Sequence, residues 1–250
     1  MDDEQKARTA LPTVLTQYSK AEALPESLAD AFLKWYAGVT HHLAIWANER
    51  ETPPLVGISG CQGSGKSTLI SALLGLHKPE QGSVDVQFNG QNPNSLGDDL
   101  DLHEWILHVG YLSQQPFLFQ GTVRDNLTLR VPGAALNEKL VASLIQKLKL
   151  DDCLGSEPLE FQLHEGGSNL SGGQQQRLAL LRALQIQRPV LILDEATSAL
   201  DSKLRDVVFD LLRERAAAGC NVILVTHDNE LAQLCDDVLD LGTLRNDLVS

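Results

Sequence analysis

The chain has 250 residues, 43% hydrophobic and 21% charged, enough for one large α/β domain or one domain with an appendage. A net charge of −13 argues against a nucleic-acid partner held through its phosphates, and no run reaches the ~18 apolar residues of a membrane helix. Four scattered cysteines (Cys61, Cys153, Cys220, Cys235) without a CxxC pair point to reduced thiols in a cytoplasmic protein, and the acidic MDDEQKAR start carries no signal peptide.

Residues 1–53 read as a helical N-terminal extension. Its best stretch follows Pro25 and Ser27, where Leu28, Phe32, Trp35, Tyr36, Val39, Leu43 and Trp46 recur at three- and four-residue steps until Glu51-Thr52-Pro53-Pro54 stops them. From residue 54 onward the pattern changes. Leu55–Ser59 runs into Gly60, Val190–Leu193 into Asp194-Glu195, and Val222–Thr226 into His227. These aliphatic runs lack polar alternation, as strands of a parallel sheet buried on both faces do. Ligands of open α/β sheets bind beyond the carboxyl ends of such strands.

Between these runs, residues 66–76 read as a helix, Val84–Phe88 as an exposed-edge strand ending in an Asn89-Gly90 turn, and Ile106–Leu112 as a strand. Asp98, Asp99, Asp101 and Glu104 read as a solvated loop or helix start rather than a metal site. Helices are expected from Asn137 to Leu150 and from Gly173 to Leu184, and a last strand at Asp237–Leu241.

Gly60-Cys61-Gln62-Gly63-Ser64-Gly65-Lys66-Ser67 follows a strand and opens a helix, which is the setting of a phosphate-cradling loop. Its glycines let successive N–H groups point inward at phosphate oxygens, and the helix starting at Lys66 adds its positive dipole end. Gly60, Gly63, Ser64 and Gly65 would line the phosphates, with Lys66 on the β- and γ-phosphates, Ser67 on Mg²⁺ and Thr68 within reach of the α-phosphate. A second anion-ready helix start lies at Ser171-Gly172-Gly173-Gln174: Ser171 is a natural N-cap, and two glycines leave first-turn N–H groups open.

Asn169-Leu170-Ser171-Gly172-Gly173-Gln174 resembles the signature motif of ABC (ATP-binding cassette) ATPases, and residues 55–241 resemble their nucleotide-binding domains. The resemblance implies an α/β P-loop NTPase fold: a mainly parallel sheet flanked by helices, with a helical subdomain over about residues 121–184 of a domain spanning 54–250. It implies that Asp194 holds Mg²⁺, that Glu195 orients and deprotonates the attacking water, that Gln114 touches metal and water, and that His227 contacts the γ-phosphate. Asp201, in Ser198-Ala199-Leu200-Asp201, resembles the D-loop residue. Residues 116–127 (PFLFQGTVRDNL) and Glu165-Gly166-Gly167 resemble exporter-type stretches.

The implied function is ATP hydrolysis by a head-to-tail dimer, formed with a second copy or a homologous subunit. Each ATP would sit between one copy's phosphate loop and the other's Ser171–Gln174, at the inner face of a membrane spanned by a separate subunit. The resemblance is incomplete at the N-terminus, where the antiparallel strands and adenine-stacking aromatic of the family are replaced by predicted helices. There residues 22–70 resemble glycerate-kinase-type P-loop kinases. A small-molecule kinase and a non-transport ABC-like ATPase module are therefore the alternatives.

Overall fold

The aliphatic runs before Gly60, Asp194 and His227 are strands of one five-stranded sheet. The computed structural model describes residues 13–17, 55–60, 65–77, 83–87, 94–96, 100–131 and 136–241. In chain order their elements are β1 (Thr13–Gln17), β2 (Leu55–Ser59), α1 (Lys66–Leu73), β3 (Ser83–Gln87), β4 (Asn94–Ser95), α2 (Leu102–His108), β5 (Val109–Leu112), β6 (Gly121–Thr122), α3 (Val123–Thr128), α4 (Glu138–Lys147), α5 (Asp151–Leu154), β7 (Gln162–Leu163), α6 (Gly172–Gln185), β8 (Val190–Asp194), α7 (Ser202–Ala217), β9 (Asn221–Val225), α8 (Asn229–Ala232) and β10 (Asp237–Asp240). The chain divides into two units, one of Met1–Gly110, Arg188–Ile192 and Glu214–Ser250, the other of Tyr111–Gln187 and Leu193–Arg213.

The first unit is built on the sheet ordered β10-β2-β9-β8-β5, in which β2 pairs in parallel with both neighbours. Its core gathers Ile58 from β2, Ile70 and Leu73 from α1, Trp105 from α2, Val190 and Ile192 from β8 and Val225 from β9. Burying each such side chain contributes about 1.5–3 kcal/mol. Trp105 is fully enclosed, and its indole N–H donates to the Leu73 carbonyl at 2.9 Å, so α2 and the end of α1 are joined by packing and by a satisfied polar group. At Gly57 an added Cβ would lie 3.0 Å from the Cys235 sulfur, so only glycine lets the turn after α8 approach this strand so closely.

Three sequence readings are corrected in this unit. Residues 1–53 are not helical throughout: Thr13–Gln17 forms β1, antiparallel to β3 with Thr13 opposite Gln87. The Thr-Val-Leu-Thr run favours a strand, and a partner about seventy residues away supplies the pairing that local periodicity cannot reveal. The aromatic stretch from Leu28 to Trp46 lies outside the described residues, as does the kinase-like segment up to residue 54. The strand at Val84 is not an edge, because β3 stands between β1 and β4 with Val84 and Val86 buried. Finally, Ile106–His108 is the last turn of α2, and the strand begins at Val109. Asp101 caps that helix by accepting from the His103 N–H at 2.6 Å, the helix start foreseen for the acidic cluster.

The second unit is mostly helical. In α6, Leu178, Ala179, Leu180 and Leu181 are buried in succession, so the middle of this helix is enclosed on every side. Arg177 ties it to the end of α4 by donating to the carbonyls of Leu148 at 3.0 Å and Lys149 at 2.7 Å, a cation at a helix C-terminus. Gln185 fastens its other end, donating to the Leu127 carbonyl at 2.9 Å.

Candidate functional site

The first unit places Gly60 and His227 on one edge of the sheet. Ile58 lies opposite Val225 in the register, and the Thr226 N–H donates to the Ile58 carbonyl at 2.9 Å. The chain therefore leaves β2 at Gly60 and β9 at His227 side by side, beyond the carboxyl ends of the strands. Gly60 has φ 151° and Gly65 has φ 96°, both in the region that favours glycine. An added Cβ at Gly65 would meet nothing within 4 Å, so backbone conformation alone, not space, requires glycine there.

Gly63 and Ser64 lie outside the described residues. Lys66 opens α1, and its ammonium reaches back to donate to the Gly60 carbonyl across the loop. Ser67 and Thr68 are exposed in the first turn. That turn has no side-chain cap and no acidic residue, so the positive helix end is unneutralised by its own sequence.

The second unit carries the carboxylates. Asp194 ends β8, half-buried, and its charge together with burial raises the Tyr111 phenol above its usual pKa, burial being the larger cause. Glu195 follows with φ 51°, a left-handed conformation that costs a non-glycine residue roughly 1–2 kcal/mol. Three donors hold its carbonyl there: the Ser198 N–H at 3.2 Å, the Ser198 hydroxyl at 3.0 Å and the Gln176 amide at 3.1 Å. The Glu195 carboxylate in turn accepts from the Gln114 amide at 2.8 Å, so two predicted site residues distant in sequence meet directly.

Ser171 is exposed and caps α6 with a complete capping box. Its hydroxyl accepts from the Gln174 N–H at 3.3 Å, and the Gln174 side chain accepts from the Ser171 N–H at 2.7 Å. Gly172 is exposed with open space around it, and a Cβ on Gly173 would come 3.7 Å from the Ala199 carbonyl. Asp201 is exposed, but its carboxylate is engaged in capping α7, accepting from the Leu204 N–H at 2.9 Å. That bond is the main reason its carboxyl is held below the usual range; desolvation opposes it, and Lys149, the Lys203 N–H and Arg177 add to it.

Sequence reasoning missed Gln176, Ser198 and Asn126 as residues that shape this region. Asn126 is fully buried. It accepts from the Phe119 N–H at 3.1 Å and donates to the carbonyls of Phe119 at 2.9 Å and Thr122 at 3.1 Å, fixing the loop before α3. Gln176 could have been found: Ala179 and Leu180, three and four residues on, put it on the apolar face of its helix.

The model of the ABC transporter family matches residues 49–198. The chain is 38% identical over 200 residues to the mesentericin-Y105 transport/processing ATP-binding protein of Leuconostoc mesenteroides, covering 80% of this chain and 26% of that one. It is 37% identical to the lactococcin-G-processing and transport ATP-binding protein of Lactococcus lactis subsp. lactis, covering 76% of this chain and again 26% of the relative. A solved bacterial Atm1-family ABC exporter with ATP bound is similar with a TM-score of 0.65 at 26% identity, over 76% of this chain and 32% of that one. The chain thus spans about a quarter of the length of these two transport proteins.

Proposed function

The chain belongs to the ABC transporter family as an exporter-like ATP-binding domain, an ATPase, and on that premise we propose that it powers export as one half of a head-to-tail pair. Two copies, or this chain and a homologous subunit, would close on two ATP molecules. Each nucleotide would lie between the phosphate loop of one copy and Ser171, Gly172, Gly173 and Gln174 of the other. A transmembrane partner, separate or fused, would carry the substrate path. Among the described residues no helix is long and apolar enough to cross a membrane. The observation that carries this reading is the α6 tip: Ser171 is exposed and caps its helix in a complete capping box, and Gly172 after it is exposed with open space around it.

In this reading Lys66 and the loop N–H groups bind the β- and γ-phosphates, and His227 contacts the γ-phosphate. Glu195 takes a proton from the water that attacks phosphorus; the new P–O bond forms as the bond to the bridging oxygen breaks, releasing ADP and phosphate. Ser67, Gln114 and Asp194 offer hydroxyl, amide and carboxylate oxygens, the hard donors that suit Mg²⁺. Among the described residues no group of three His, Cys, Asp or Glu could hold a metal. When bound, Mg²⁺ neutralises phosphate charge.

The test is Glu195→Gln in MgATP. The variant is expected to bind ATP, to form a nucleotide-dependent dimer by light scattering, and to lose about 10²–10⁴-fold in kcat. Undiminished turnover would overturn the role of Glu195; a monomer in saturating MgATP would overturn the paired site.

A further inference from the structure

We propose that Gln176 is a positioning residue for ATP hydrolysis, whose amide holds the Glu195 carbonyl so that the carboxylate faces the water. The proposal rests on the reading of Glu195 as the water-activating group. Gln176 is 7% exposed, and its amide donates across nineteen residues of chain to the Glu195 carbonyl. Its own side-chain oxygen is buried with no hydrogen-bond partner among the described residues. A buried, stranded acceptor is unfavourable, so this side chain is poorly explained as packing and well explained by the donor at its other atom.

The geometry shows what that donor does. Glu195 sits in a left-handed conformation that its side chain disfavours, and its carbonyl is fixed by Gln176 and Ser198 while its carboxylate meets Gln114. A rotation of the Glu195 backbone toward a relaxed conformation would break the carbonyl contacts and swing the carboxylate off Gln114. The Ser198 contacts are local to the turn after β8, whereas the Gln176 contact comes from α6, the helix that begins at Ser171. One rigid helix therefore carries both the tip offered to a second copy and the tether of this copy's own carboxylate.

Steady-state ATPase kinetics of Gln176→Met and Gln176→Glu in the whole chain test this. Methionine keeps length and apolar volume but has no N–H, so kcat should fall about tenfold while KM for MgATP stays within about twofold. Glutamate can donate only when protonated, and burial favours its neutral form. The ratio of its kcat to that of the unaltered chain should therefore rise as pH is lowered from about 8 to about 6, a response a packing role would not produce. Native-like kcat in Gln176→Met, or a parallel loss of kcat, ATP affinity and melting temperature, would overturn the proposal. So would a flat ratio for Gln176→Glu, which decides the matter alone if the methionine variant does not fold. Glu195→Gln run beside them separates the two readings: retained turnover there removes the base itself, whereas lost turnover there with native-like Gln176→Met removes only the tether.

Discussion

The two glycine-flanked helix starts, at Lys66 and at Gly172, solve the same problem differently. Both leave first-turn N–H groups that the helix cannot satisfy. Helix α1 follows a left-handed Gly65, has no side-chain cap and has no acid in its first turn. Helix α6 follows an extended Ser171 and closes a reciprocal capping box with Gln174. The first start therefore has no side chain of its own to meet its first-turn N–H groups, whereas the second meets those of Ser171 and Gln174 internally and leaves those of Gly172 and Gly173. Nucleotide should bind the first as its missing acceptor, and dock on the second as a preformed surface.

That contrast is easiest to break at the first start. Lys66→Ala removes the one cation of the loop and should abolish MgATP binding or cut turnover at least about a hundredfold, read by equilibrium titration and phosphate release. Ser171→Arg should do something different: ATP binding by the monomer stays intact, while the bulky cation prevents closure and turnover collapses with it. If Ser171→Arg weakened monomer binding as much as Lys66→Ala, the two starts would belong to one site in one copy and the head-to-tail reading would fail. A gentler change, Ser171→Ala, deletes the cap and should cost about 1 kcal/mol of stability by denaturant titration.

The parts legible in the sequence were those whose physics is local. The helix start at Lys66, the Ser171 cap and the aliphatic strands before Gly60, Asp194 and His227 are set by neighbouring residues, and they appear in the structure where their patterns put them. What escaped depends on partners far away in the chain. β1 exists because β3 pairs with it, and β3 is central for the same reason. The boundary between α2 and β5 turns on Asp101, whose helix-start pattern with Glu104 was visible inside the acidic cluster, but whose helix is held by Trp105 reaching the end of α1. The left-handed Glu195 is invisible locally, because glutamate gives no hint of positive φ and the donors that fix it come in part from α6.

A third helix start sharpens the comparison, because α7 is capped by a charge. Asp201 accepts from the Leu204 N–H and its carboxyl is held below the usual range by that bond first, then by nearby cations. A folded-state pKa below the unfolded one means stability that is fully present above the unfolded value, near 3.9, and is lost as pH falls through the lowered folded value. Asp201→Asn keeps an acceptor oxygen at the cap and removes only the charge. The variant should melt slightly below the unaltered chain by a constant margin between about pH 7 and pH 5, and that margin should close as the carboxyl protonates below about pH 4. A margin that persists in acid would place the difference in cap geometry instead of charge. A loss of turnover at neutral pH with melting nearly unchanged would instead mean that this exposed carboxylate acts on the nucleotide or on the second copy, as its resemblance to the D-loop residue implies, beyond its hold on α7.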